Sequence, residues 1–151
     1  MIQYEKVTGD FDLTGKNAIV VGGAGGIGEA TARMYAKKGA NVAIVDCKEN
    51  CPEVAEAIAK EFGVKTIGVK CDVTQQESVD AMMAKVVEAF GEVNILAAMP
   101  GFVDLYRATD IEISTIEKHI AINAVGVFRV CQGVANQMIK QGKGGKIVCI
   151  T

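Results

Sequence analysis

A short apolar run, Ala18-Ile19-Val20-Val21, passes directly into a glycine-rich stretch, Gly22-Gly23-Ala24-Gly25-Gly26-Ile27-Gly28. Glycine at this density lets backbone N–H groups come up against a ligand, because a Cβ would block the approach or forbid the turn. A helix starting where this run ends would add the positive end of its dipole, which favours an anion such as phosphate. Asp46 closes the next apolar run, Val42-Ala43-Ile44-Val45. A carboxylate at that place accepts hydrogen bonds from ribose hydroxyls and repels a phosphate on the 2′ oxygen. Cys47, not arginine, follows it, although Lys48 is close enough to pull the other way. The two features together favour NAD(H) over NADP(H).

Other chemistries have less behind them. Five cysteines (Cys47, Cys51, Cys71, Cys131 and Cys149) show no CxxC spacing, and His119 is the only histidine, so a zinc site is not expected. Free thiols in a reducing cytosol are the simplest reading. Cys47 and Cys71 end strands that should be neighbours; they are expected to be pocket-lining thiols, with a redox pair as the rival role. His119 is expected to be a packing or surface residue, and Arg107 is a weak candidate to face a substrate. A net charge of −2 without clustered Lys and Arg gives no footprint for nucleic acid or an acidic membrane. The charge-free stretch from Asn17 to Gly28 is too short to span a bilayer, and the acidic opening is a poor signal peptide. A cytoplasmic location follows as the expectation.

These residues need elements to hold them. Five short, nearly continuous apolar runs read as parallel strands covered on both faces: Ala18 to Val21, Val42 to Val45, about Thr66 to Val69, Val93 to Ala97, and Lys146 to Ile150. Helices are expected between them. Ile27, Ala30, Thr31, Met34 and Lys38 trace one face of the first; Val54, Ile58 and Phe62 the second; Val79, Met82, Met83, Val86 and Phe90 the third. The methionines of the third read as core. Thr74-Gln-Gln-Glu77 and Ser114-Thr-Ile-Glu117 have the form of capping boxes, the second opening a long helix to about Lys140. Such an alternation makes an α/β parallel sheet with right-handed connections; with the glycine loop marking a nucleotide site, it is a Rossmann-type doubly wound sheet in strand order 3-2-1-4-5. Residues 1–12 read as a leader and 13–151 as one incomplete dinucleotide-binding domain.

Several motifs in order make the chain resemble the short-chain dehydrogenase/reductase family, from about Phe11 to Thr151. Gly22-x-x-x-Gly26-Ile27-Gly28 is similar to the family's cofactor loop, with Val21 where that loop usually begins with Thr. Cys71-Asp72-Val73-Thr74 is similar to the end of its third strand, which implies that Asp72 hydrogen-bonds the adenine amino group and Val73 packs on the ring. Asn94-Ile95-Leu96 with Gly101 resembles its fourth-strand motif. Ile122-Asn123-Ala124-Val125-Gly126-Val127-Phe128 resembles the helix segment bearing its catalytic Asn, which implies that Asn123 bends the helix around a water in a proton relay. Gly145-Lys146-Ile147-Val148 resembles the start of its fifth strand. The resemblance implies an NAD-dependent oxidoreductase moving hydride between nicotinamide and a small secondary alcohol or ketone. A sugar alcohol is suggested by Phe11-Asp-Leu-Thr-Gly-Lys16. It also implies a homo-oligomer formed through the 114–140 helix.

The departures are equally specific. Ala98-Met99-Pro100-Gly101 stands where the family has Asn-Asn-Ala-Gly, so the hydrogen bonds of both Asn side chains must be made elsewhere or lost. Ala98 and Gly101 remain expected cofactor neighbours. The family's Tyr-x-x-x-Lys is absent: Tyr4, Tyr35 and Tyr106 are followed four residues on by Thr8, Gly39 and Asp110. The catalytic Ser would fall just past strand five, where the sequence reaches Thr151. These 151 residues alone are therefore expected to be inactive. Two alternatives are an NAD-binding module without catalysis and a non-binding remnant. In the latter, strand five would be an unprotected edge and the long helix would expose Ile120, Val127 and Val134.

Overall fold

The computed structural model describes residues 11–150. Five strands form one parallel sheet: β1 (Asn17–Val21), β2 (Asn41–Asp46), β3 (Thr66–Lys70), β4 (Ile95–Ala98) and β5 (Lys146–Cys149). Their order is β3-β2-β1-β4-β5, as the glycine loop taken as a nucleotide site implied. Helices α1 (Gly26–Lys37), α2 (Cys51–Phe62), α3 (Gln76–Phe90), α4 (Ile113–Ile120) and α5 (Val127–Gln141) fill the connections, and a π-helical turn, Ala121–Gly126, joins the last two. Among the described residues no helix is long and apolar enough to cross a membrane.

Period-two alternation splits the strand side chains between two cores. Ile19, Val21, Ala43, Val45, Leu96 and Ala98 face α3 and α5, together with Val79, Met82, Val86, Val130 and Val134. Val20, Val42, Ile44 and Ala97 face α1 and α2, together with Ala32, Ala36, Ala55 and Ile58. Covering both faces explains why the strands read as unbroken apolar runs. Each fully buried Ile, Val or Met contributes roughly 1.5–3 kcal/mol.

The bottom edge of the sheet is tied by asparagines. Asn17 is buried; its Nδ2 donates to the carbonyls of Glu92 (3.0 Å) and Phe90 (3.3 Å), and its Oδ1 accepts from Asn41 Nδ2 (2.9 Å). Asn94 Oδ1 accepts the Asn17 N–H at 2.8 Å. Three strand starts are thus held in register through one polar network whose members satisfy each other.

Helix α1 buries a different face from the one expected. Gly28, Ala32 and Ala36 point inward, while Ile27 and Met34 are exposed. The smallest residues, not the most apolar, mark the contact, and at Gly28 a Cβ would meet the Gly22 carbonyl oxygen. Neither expected capping box forms. Helix α3 starts at Gln76 after Gln75 without a side-chain cap; Thr74 Oγ1 donates to the Asp72 carboxylate (2.7 Å) and accepts from Gln75 Nε2 (3.2 Å), not from a helix N–H. Helix α4 starts at Ile113 after Glu112, also without one. The long helix is continuous but changes pitch at its centre. Ile120 is exposed, as expected, whereas Val127 and Val134 belong to the core. Strand β5 is the outermost strand on its side, with all four residues exposed.

Candidate cofactor cleft

The C-terminal ends of β1, β2 and β4 diverge around the glycine loop. Gly22 N–H and Gly23 N–H both donate to the Val45 carbonyl (2.8 and 2.9 Å), turning the chain off β1. Gly22 takes φ +80°, and a Cβ there would lie 2.4 Å from the Met99 carbonyl oxygen. Gly28 packs still tighter: a Cβ on it would lie 1.9 Å from the Gly22 carbonyl oxygen. These two glycines let helix and loop touch. Gly26 and Gly101 differ, since a Cβ on either would meet nothing within 4 Å. They border open space.

That space is a cleft of about 520 Å³. Gly22, Gly26, Asp46, Cys47, Asp72, Val73 and Gly101 line it, which brings together seven residues drawn from four separate loops. A second hollow of about 290 Å³ shares Gly22, Gly25, Met99, Pro100 and Gly101 with the first, and adds Ile27, Gly28 and Asn123. Ala98 lines neither; it is fully buried, and its neighbour Met99 lines both. Sequence reasoning also passed over Phe102, Lys118 and Ile122, whose place on the cleft wall depends on how the 101–112 loop folds back.

Each candidate side chain is anchored. Asp46 Oδ2 accepts the Ala24 N–H at 3.1 Å, which joins the end of β2 to the glycine loop. Its Oδ1 accepts from the Lys48 N–H at 3.3 Å and the Cys47 thiol at 3.5 Å. Asp72 Oδ1 accepts from the Thr74 N–H and hydroxyl at 2.9 and 2.7 Å. Val73 is buried against Gly126, and its carbonyl accepts from Arg129 Nη1 at 2.6 Å. Asn123 lies inside the π-helical turn, and its side chain is bound to both polar groups of the Phe102 main chain. A single π turn inside an α-helix commonly marks a functional position.

The minor candidates fall as follows. His119 Nε2 accepts the Asp104 N–H (3.3 Å), and its ring lies 4.9 Å from the Phe102 ring, so it packs the loop against α4. Arg107 is exposed and lines neither hollow. Cys47 and Cys71 both border the larger cleft. Burial, then the charge of Asp46, pushes the Cys47 thiol up; burial likewise raises Cys71. At residues 98 and 99 the main chain continues the sheet ladder: Met99 N–H donates to the Val21 carbonyl (3.0 Å), and the Ala98 carbonyl accepts from Ile150 N–H (2.9 Å).

A family profile described as short chain dehydrogenase matches residues 16–151. The chain belongs to that family. It is 38% identical over 136 residues to a sorbitol dehydrogenase of Cereibacter sphaeroides, covering 90% of this chain and 52% of that protein. It is 39% identical over 153 residues to a D-threitol dehydrogenase of Mycolicibacterium smegmatis, covering 98% and 57%. Among solved structures, an NAD+-bound xylitol dehydrogenase superposes with a TM-score of 0.84 at 34% identity, covering 90% of this chain and 52% of that one. The chain spans about half the length of the curated relatives it matches. Family membership makes this an oxidoreductase fold with polyol dehydrogenases among its relatives.

Proposed function

We propose that this chain is the NAD(H)-binding half of a dehydrogenase that acts on a secondary alcohol or ketone, with small polyols as the substrate class. The observation that carries the reading is Asp46. Its carboxylate borders the open cleft and is fixed to the glycine loop through the Ala24 N–H. An anion there suits two ribose hydroxyls and opposes a 2′-phosphate. The cleft fits a dinucleotide in its other parts. Gly22, Gly25 and Gly26 present main chain at the start of α1, where phosphates are favoured. Asp72 and Val73 border the end suited to an adenine ring, and the shared hollow leads on to Asn123.

When bound, the nicotinamide supplies the hydride chemistry. The residues of this chain orient it. Asn123, through Phe102, fixes the loop that walls the hollow, and Met99 and Pro100 line both hollows beside the glycine loop. None of the three tyrosines carries a Lys four residues on, so a general acid/base is not among these residues. The 151-residue chain therefore binds NADH without turning over a polyol. The exposed faces of α4 and α5, with Ile116, Ile120 and Phe128, are the surface through which it would self-associate.

Titrating the chain into NADH while following nicotinamide fluorescence tests the proposal. Saturable enhancement or quenching, weaker with NADPH, is the expected result; no change with either would leave only a fold without a ligand. Turnover of sorbitol, threitol or xylitol by the 151 residues alone would overturn the assignment of the missing proton donor.

A further inference from the structure

Helix α5 and edge strand β5 each bring one cysteine to their contact. The Sγ atoms of Cys131 and Cys149 lie 3.3 Å apart. The other three thiols have oxygen neighbours: Cys47 faces the Asp46 carboxylate, Cys51 the carbonyls of Lys48 and Asp46, and Cys71 the Ser78 hydroxyl. The sulfur contact is therefore at the opposite end of the thiol set from Cys47 and Cys71, the pair that strand ends alone suggested.

We propose that Cys131 and Cys149 are an oxidisable dithiol whose disulfide staples α5 to β5. A disulfide needs its sulfurs about 2.0 Å apart, so closure asks for a movement of about 1 Å. Among the described residues β5 pairs with β4 alone, and a shift of this size along α5 or β5 supplies it. The order of events follows from the surroundings. Cys149 is exposed, whereas burial, then contact with Cys149, pushes the Cys131 thiol up to about 12. With a peroxide as oxidant, the Cys149 sulfur attacks one peroxide oxygen, the O–O bond breaks, and the departing oxygen leaves as water. The Cys131 sulfur then attacks the resulting sulfenic acid, the S–O bond breaks, and the leaving hydroxide takes up the Cys131 proton as a second water. Two thiols lose two electrons in all, and one peroxide becomes two waters. The site does not depend on the cofactor assignment, though Ile150, the residue after Cys149, lines the smaller hollow with Asn123.

The test is a peptide map. The chain is treated with hydrogen peroxide, its remaining thiols are alkylated, and it is cut with trypsin without reduction. Cleavage after Arg129, Lys140 and Lys146 frees Val130–Lys140 and Ile147–Thr151. The expected product is these two peptides joined, in protein that remains one chain on a non-reducing gel, and absent from Cys149→Ser and Cys131→Ala. Hydrogen exchange at Ile150 N–H, which bonds the Ala98 carbonyl, should slow several-fold in the oxidised wild type. Recovery of both peptides as alkylated thiols while Cys47 is oxidised would overturn the proposal. So would a link found only between two copies.

Discussion

Asn123 spends its whole side chain on the main chain of Phe102: Oδ1 accepts the Phe102 N–H at 2.9 Å, and Nδ2 donates to the Phe102 carbonyl at 2.9 Å. The residue sits in the one π turn of a long helix, and Phe102 sits where the chain leaves β4. The Phe102 ring in turn packs beside His119 and under the Lys118 ammonium, 4.0 Å from the ring centre. A helix and a loop are locked by one amide, and both border the cleft.

Replacing that amide should be costly. Asn123→Ala leaves a half-buried N–H and C=O without their partners, at on the order of 1–3 kcal/mol each, and should lower the urea midpoint accordingly. Asn123→Asp keeps the acceptor but sets a carboxylate oxygen against the Phe102 carbonyl, so it should cost at least as much as alanine. Equal stability of all three would mean that the grip on Phe102 contributes nothing.

Two glycines that look alike in the sequence should behave oppositely. A Cβ at Gly28 would overlap the Gly22 carbonyl oxygen at 1.9 Å, so Gly28→Ala must push the loop off the helix and should cost at least about 3 kcal/mol. A Cβ at Gly101 meets nothing within 4 Å. Gly101→Ala should leave the melting temperature nearly unchanged, within roughly 0.5 kcal/mol, yet weaken NADH because it fills the cleft wall. A calorimetric melt of each and an NADH titration of Gly101→Ala separate the two effects.

The contrast shows what was legible beforehand. Both cores follow from the apolar runs, because strands buried on two faces need them, and the strand order follows from the glycine loop read as a nucleotide site. The inward face of α1 was not legible, since Ala32 and Ala36 mark it by smallness and not by hydropathy, and hydropathy picks Ile27 and Met34. The capping boxes failed at a finer level: the Thr74 hydroxyl is held by the Asp72 carboxylate, and α3 starts one residue later than Gln75. Lys118 and Phe102 were invisible as cleft residues because nothing in their spacing says how the 101–112 loop returns. The Asn17–Asn41–Asn94 network spans 77 positions and has no local signature.

Glu92 links the end of α3 to the loop before β5 and makes stability depend on acid. Its carboxylate accepts from Lys143 Nζ at 2.5 Å and from Asn94 Nδ2 at 3.2 Å, and these bonds, the Lys143 one foremost, hold it below the usual carboxylate range. A lowered folded pKa means that the contribution is fully present above the unfolded value, about 4.3 for Glu. It is lost as pH falls below that value and through the lower folded one. Glu92 is exposed to solvent screening, so the effect should be small. In a denaturation series from pH 7 to pH 3, Glu92→Gln should lose less stability than wild type below the unfolded pKa. An identical slope for both would remove Glu92 from the acid response.

Cofactor choice should turn on Asp46 and Lys48, which stand on the same cleft wall with opposite charge. Asp46→Asn preserves an oxygen for the Ala24 N–H and removes the negative charge, so the loop should hold while repulsion of a 2′-phosphate disappears. The Lys48 ammonium then loses one of the two carboxylates that share its cleft, Asp72 remaining. The ratio of NADPH to NADH dissociation constants should fall about tenfold, which corresponds to about 1.4 kcal/mol. Lys48→Met in the wild-type background should move the ratio the other way, because the cation that tolerates a 2′-phosphate is gone. Asp46→Ala removes the oxygen as well as the charge; it should weaken both cofactors and lower the melting temperature, since the Ala24 N–H loses its acceptor. Fluorescence titrations of the three variants with both cofactors decide the matter. If Asp46→Asn leaves the ratio where it was, the carboxylate anchors the glycine loop and takes no part in choosing the cofactor.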